Sequence, residues 1–311
     1  MSALPVVHRS DTTNALPVSR LERIRASAWT QAIRPHQWSK AVLVTTASFA
    51  ALRFSALILL QLAAAVALAC TAASGTYLLN DAIDAPADRL HPVKRHRPIA
   101  DGRISRSAAV TAAAVLLLFA PVLGLLVSRA TGFTLGIYVV LTVAYSTKLK
   151  QIFIVDIVTI AAGFVVRVLI GAAATRTTVS VWFLMAVGAA SVMVAAGKRR
   201  GEVQELGSDA AAHRKALAQY RDAVTVRLLT GSAGLLFFSL VTWASIGKGG
   251  PHLEETWALV LVVPATLAIG RYLQIALSGE ASRPERLIHD RKLQIAGFTT
   301  TAVFVLGSLL S

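Results

Sequence analysis

The sequence predicts an all-α, polytopic membrane protein whose nine transmembrane helices form one bundle. Three observations carry that expectation. Apolar runs near the ~20 residues that a membrane-spanning helix needs recur from one end of the 311-residue chain to the other. Hydrophobic residues make up 55% of the chain and the mean hydropathy is +0.62, a balance expected of a chain that meets lipid along most of its length. The basic residues gather in the short segments between the runs.

Residues 1–27 are polar, carry Arg9, Arg20, Arg23 and Arg25, and lack an apolar core. They read as a flexible cytoplasmic tail and not as a signal peptide. Residues 28–311 then form one catalytic membrane domain. Its apolar segments lie at 39–54, 57–80, 107–128, 132–148, 152–174, 179–197, 225–247, 255–277 and 291–310, the first being short for a span. Threading all nine in alternation places 26 lysines and arginines on one side. Only Arg53, Arg129, Arg176 and Lys248 fall on the other. Basic loops stay cytoplasmic, so the N terminus and the basic face are expected inside the cell membrane and the C terminus outside.

A net charge of +15 and a pI near 10.9 raise nucleic acid as a partner. Cations locked between spans serve membrane topology, phospholipid headgroups and an anionic ligand instead. The single cysteine, Cys70, lies inside an apolar run, which excludes a disulfide within the chain and speaks against a zinc site.

Where the second run stops, the chain continues Asn80-Asp81-Ala82-Ile83-Asp84-Ala85-Pro86-Ala87-Asp88. If the helix continues, Asp81, Asp84 and Asp88 share one face, with Asn80 one turn before Asp84. Carboxylates so close repel one another. An oxygen-seeking cation such as Mg²⁺ relieves that repulsion and keeps positions for water and phosphate oxygens. Asn80, Asp81, Asp84 and Asp88 are therefore candidate metal ligands, with Asp84 and Asp88 at the catalytic centre. Lys94, Arg95 and Arg97 follow at once and suit the phosphates of a substrate. The plainer alternative is a solvated, mixed-charge loop. Pro86 is expected to kink or end the helix inside the motif.

Other positions add to this picture. Arg34-Pro-His-Gln-Trp-Ser-Lys40 precedes the first segment; Trp38 and Lys40 fit an interfacial anchor, and Lys40 also fits an anion site at the mouth of the bundle. The fourth segment ends Tyr145-Ser-Thr-Lys-Leu-Lys150, where Tyr145 and Lys150 are candidate site residues. Asp156 lies about one turn into the fifth segment, costly there unless it meets a cation or a metal, and is a candidate for the catalytic centre. Arg167 lies eleven residues on, almost three turns, and so faces the same way. It is either a tie between helices, through carbonyls or Asp156, or a contact to a substrate phosphate. Gly163 and Gly171 allow close approach beside it. Lys198 and Arg199 end the sixth segment and face the same side as the acidic motif. Residues 202–224 read as a cytoplasmic helix near the headgroups, and 279–292 as a lid or solvated turn. No nucleophile elbow, Walker loop or Cys/His cluster is present.

The pattern Asn80-Asp81-x-x-Asp84-x-x-x-Asp88 resembles the first acidic motif of the UbiA superfamily of intramembrane prenyltransferases. The resemblance implies a nine-helix bundle with its site at the cytoplasmic mouth. Most members carry a second motif, Asp-x-x-x-Asp; here the corresponding region ends at Asp156, and Ile160 stands four residues on. The second carboxylate is missing.

Arg34-Pro-x-Gln-Trp-x-Lys40, His91-Pro-x-Lys-Arg-x-Arg-Pro-Ile-Ala-x-Gly102 and Gly197-Lys-Arg199 are similar to a branch of that superfamily that transfers phosphoribose to decaprenyl phosphate. The likeness runs over nearly all of the chain after residue 30. It implies that 5-phosphoribosyl diphosphate (PRPP) gives its phosphoribose to a polyprenyl phosphate, with pyrophosphate released, for arabinan precursors of the cell wall. Asn80, Asp81, Asp84 and Asp88 would hold Mg²⁺ on the pyrophosphate, and Lys94, Arg95, Arg97 and Lys150 would neutralise the phosphates. A phosphate monoester with its second pKa near ~6 is already anionic, so no strong base is needed.

The rival enzyme is a UbiA-type prenyltransferase joining a prenyl diphosphate to an aromatic acceptor, against which the missing carboxylate speaks. A transporter would show an inverted repeat with paired broken helices, and none is visible. A homo-oligomer is left open.

Overall fold

The computed structural model describes residues 27–207, 216–246, 253–282 and 290–310. The expected tail therefore lies outside the described residues apart from Ser27, as does Lys248. Among the described residues there are helices and turns and no strand.

Two short helices, α1 (Ala28–Ile33) and α2 (Thr46–Ala50), flank a ten-residue 3₁₀ turn, Pro35–Val44. Eight long helices follow: α3 (Ala56–Asp88), α4 (Arg106–Val127), α5 (Arg129–Thr147), α6 (Val155–Thr175), α7 (Val181–Leu206), α8 (Asp222–Ile246), α9 (Glu255–Leu277) and α10 (Arg291–Leu310). All eight are long and apolar enough to cross a membrane. The expected span at 39–54 is the exception, because it is not one helix but a 3₁₀ turn and a single helical turn in series.

That broken segment still runs from one end of the bundle to the other. Arg34 meets Asp81 near the C-terminal end of α3, the Trp38 indole donates to Ser74 Oγ at 3.1 Å, and Ser48 bonds Thr175 at 3.1 Å near the opposite end of α6. Arg53 closes the series by donating to the Arg176 carbonyl at 3.2 Å. Gly171 makes the approach possible, since a Cβ there would collide with the carbonyl oxygen of Val44. Val44 itself is fully buried among Ala65, Ala69 and Ala72 of α3, Leu135 and Tyr138 of α5, and Ile170 of α6.

Serines start four of the long helices in the expected way. Ser55, Ser105, Ser128 and Ser180 each accept a backbone N–H from the first turn of α3, α4, α5 and α7. The α6 start differs: Ile154 stands at φ 66° with no side-chain cap.

Two expectations need correction. Of 202–224, the first residues extend α7 to Leu206 and the last open α8, with a 3₁₀ turn at Leu217–Gln219 between them, and 208–215 lie outside the described residues. Pro86 does not end α3, which continues to Asp88. Of 279–292, residues 283–289 lie outside the described residues.

Candidate active site

At 33 residues α3 is about 50 Å long, well beyond the ~30 Å of a bilayer's hydrocarbon core. Its surplus length carries the acidic motif into the polar zone. Pro86 removes the N–H that would bond the Ala82 carbonyl, and the helix runs on for only two residues beyond it, to Asp88. The loop that follows folds back: Ile99, Ala100 and Ile104 are buried, Ile99 and Ile104 against Leu78, Ala82 and Ala85 of α3 and Ala32 of α1. Arg89 fixes this fold by donating to the Ala100 carbonyl at 3.0 Å. The fold-back brings Arg97 over the acidic face.

The three aspartates are paired with three cations. Arg34 donates to both oxygens of Asp81, at 2.6 and 2.7 Å, from a left-handed backbone position just before Pro35. Arg97 bridges Asp81 at 3.2 Å and Asp88 at 2.7 Å. Lys150, on the 3₁₀ turn Leu149–Gln151 between α5 and α6, reaches Asp84 at 2.7 and 2.9 Å and Asn80 Oδ1 at 3.1 Å. Asn80 also donates to Asp84 at 3.0 Å. Asp81, Asp88 and Lys150 are 2–5% exposed, so removing one partner of a pair would strand a buried charge, at a cost of about 3–5 kcal/mol. Asp84 is the more open member.

The donors suit a hard divalent cation in kind, since they are all oxygens. In place they converge only in twos: Asp81 with Asp88 on Arg97, Asp84 with Asn80 on Lys150. Among the described residues no three carboxylate, histidine or cysteine side chains are grouped as a metal site.

The remaining candidates divide between this network and others. Lys94 and Arg95 stand on the turn just before Arg97, with Arg95 turned towards His96 Nε2 at 3.3 Å. Lys40 is exposed and donates to Gln37 at 2.5 Å. Lys198 is exposed and lies 3.7 Å from Glu202. Tyr145 is half-buried on the last turns of α5, near the Arg199 charge.

Asp156 and Arg199 form a second, deeper cluster. Asp156 is 0% exposed; it accepts from Arg199 Nε at 2.9 Å, from the Ile157 N–H at 2.8 Å and from the Tyr220 hydroxyl. Arg199 spends another nitrogen on Glu202, at 2.5 Å.

Arg167 does not pair with Asp156, one of the two partners expected of it as a tie. It donates to Tyr138 Oη on α5 at 2.6 Å and to the Gly163 carbonyl at 3.2 Å, with its guanidinium over the Tyr138 and Phe164 rings. Sequence reasoning did not single out Arg34 or Tyr220. The signal for Arg34 was its place at the head of the Arg-Pro-x-Gln-Trp-x-Lys string. Tyr220 had none, because nothing in its neighbours foretells a partner 64 residues away.

Comparison with known proteins adds findings of three kinds. The model of the UbiA prenyltransferase family matches residues 41–297. The chain is 32% identical over 304 residues to the decaprenyl-phosphate phosphoribosyltransferase of Mycolicibacterium smegmatis, covering 94% of this chain and 95% of that one. To the enzyme of the same name from Mycobacterium tuberculosis it is 34% identical, over 85% and 89% of the two chains. In three dimensions it resembles digeranylgeranylglyceryl phosphate synthase, with a TM-score of 0.65 at 16% identity over 91% and 98% of the chains. It also resembles a UbiA homologue from Archaeoglobus fulgidus bound to GPP and Mg²⁺, with a TM-score of 0.58 at 13% identity over 91% and 99%.

Proposed function

This chain belongs to the UbiA prenyltransferase family, and from that premise we propose that it transfers 5-phosphoribose from PRPP to decaprenyl phosphate, releasing pyrophosphate. The observation that carries the reading is the make-up of the mouth, where one acidic motif is matched charge for charge by Arg34, Arg97 and Lys150. A donor phosphorylated at both ends and an acceptor that is itself a phosphate bring strong mutual repulsion, and dense, pre-placed cations answer it. The station where a second acidic motif would help hold a prenyl diphosphate has Ile160, and Asp156 is already closed by Arg199 and Tyr220.

In this reading the acceptor phosphate oxygen attacks C1 of the ribose as the bond from C1 to the pyrophosphate oxygen breaks, with inversion. The nucleophile arrives as an anion, so it needs no base. Lys150 and Arg97, released from their carboxylates, neutralise the leaving pyrophosphate. Lys94, Arg95 and Lys40 attract the remaining phosphates from the exposed side. Asn80, Asp81, Asp84 and Asp88 are the residues that would hold Mg²⁺, which when bound supplies charge neutralisation on the pyrophosphate. The same side chains can thus re-pair, carboxylates with metal and cations with phosphate, when the donor enters. The multi-pass chain lies in the cell membrane with its basic mouth in the cytoplasm, where a water-soluble donor is at hand.

The test is a donor screen on purified protein. PRPP, a polyprenyl phosphate and Mg²⁺ are expected to release pyrophosphate and yield a lipid-linked ribose phosphate, and chelation of Mg²⁺ to stop the reaction. Unphosphorylated polyprenol should not replace the lipid, because a neutral hydroxyl needs a base. Turnover of a prenyl diphosphate with an aromatic acid, PRPP being inert, would overturn the proposal.

A further inference from the structure

We infer that Tyr220 is a positioning residue for Lys150, acting through the strained turn that opens α6. This rests on the reading of Lys150 as part of the site. The Tyr220 hydroxyl does two things at once: it accepts the Ile154 N–H at 3.0 Å and donates to Asp156. Burial and the hydrogen bond to Asp156 both push its pKa up, so the hydroxyl keeps the proton it donates. The Tyr220 ring packs against Phe153, the centroids 4.9 Å apart, and the residue is 1% exposed.

What this grip restrains is Ile154, a β-branched residue at φ 66° and ψ −42°. No L-residue with a branched Cβ rests there unaided, and such a conformation persists only where the surroundings over-determine it. The turn has no side-chain cap, so the Ile154 N–H depends on the tyrosine.

The same short stretch carries Lys150. Its backbone is a chain of linked bonds: Gln151 N–H to the Lys148 carbonyl, Ile152 N–H to Leu149, and Asp156 N–H to Ile152, all at 3.1 Å. Lys150 itself is 5% exposed and spans from this turn to Asp84 and Asn80 on α3. The placement of its ammonium therefore depends on a turn held in a strained shape, and Tyr220 is what holds it. Arg199 fixes the far side of the grip by its 2.9 Å bond to Asp156. The loop before α8 is in this way tied to the acidic motif on α3, two elements that share no direct bond in this cluster.

The variant that tests this is Tyr220→Phe, which keeps the ring and removes the hydroxyl. Two readouts are needed. The first uses no substrate: purified protein is treated with an amine-acylating reagent, and modification of Lys150 is followed by mass spectrometry of its peptide. Wild-type Lys150 should be protected, and the variant should label severalfold faster while distant lysines do not change. The second is kinetic: KM for PRPP should rise about tenfold, the worth of one lost hydrogen bond, with a smaller change in kcat. Adding Ile154→Gly to Tyr220→Phe should bring labelling back towards wild type, because glycine rests at positive φ without a clamp. If Tyr220→Phe lowers thermal stability yet leaves Lys150 protected, the inference is wrong and Tyr220 is only a packing residue. If wild-type protein does not turn over PRPP, the functional reading fails while the labelling arm still decides the role of Tyr220.

Discussion

Arg167 is the residue on which chemistry and architecture compete most directly. An arginine in the apolar body of a span is costly, and such residues often mark a substrate path. Here its guanidinium ties α6 to α5 through Tyr138 Oη and turns back on its own helix at Gly163. We expect Arg167→Lys to behave as the loss of a tie, because an ammonium keeps the charge but not the fork that serves two acceptors at once. Thermal stability should fall by about 1.5–3 kcal/mol, the range for a charged hydrogen bond, with KM for both substrates within about twofold. A raised KM at unchanged thermal midpoint would return Arg167 to the substrate. The contrast with the acidic motif shows what a sequence discloses at this scale. Asp81, Asp84 and Asp88 were legible because helical spacing alone puts them on one face. That Arg167 would meet Tyr138 was not, because Asp156 shares its face but lies about 16 Å away along the helix, and only the packing of α5 against α6 supplies the partner.

At the scale of elements, hydropathy located the eight long helices to within a few residues, except where α3 and α7 continue past their apolar runs. Those extensions are polar and helical at once, which a window of mean apolarity cannot register, yet they carry the acidic motif and Arg199. The first segment misled in the opposite sense. It is apolar enough to resemble a span, but Pro35 starts it in a 3₁₀ turn, and no periodicity marks the break at Thr45. What makes this irregular backbone tolerable is its burial against α3 and α6 instead of lipid. Gly171 is the contact that decides it. Gly171→Ala would drive a methyl into the Val44 carbonyl, backbone against side chain, with no flexible group to yield. The expected cost is about 3 kcal/mol, the upper range for overpacking, read as a lower thermal midpoint in detergent. Gly136→Ala, where an added Cβ meets open space, should leave the midpoint unmoved. Equal behaviour of the two variants would mean that the 35–50 segment does not lie against α6.

For the whole molecule, the sidedness of the membrane joins the charge pattern to the proposed reaction. All the candidate residues on the ends of α3, α5, α7 and the turn before α6 belong to one face, the face that also gathers 26 of the basic residues. The broken first segment preserves this sorting because it still runs the length of the bundle, from Asp81 to Arg176. A site reached by a soluble sugar phosphate must open where that donor is made, and basic loops are retained there. Helix α4 offers the sharpest test, since Arg106 starts it and Arg129 follows its far end, both exposed and about 33 Å apart along 22 residues of helix. In a Cys70→Ser background, Arg129→Cys is expected to react with a membrane-impermeant maleimide on intact cells. Arg106→Cys should react only after the membrane is opened. The reverse pattern would put the acidic motif outside, away from the cytoplasmic donor, and the proposed reaction would have to be abandoned along with the orientation. Labelling of both from outside would mean that α4 does not cross, and the end-to-end alternation on which the 26-to-4 sorting depends would fail with it.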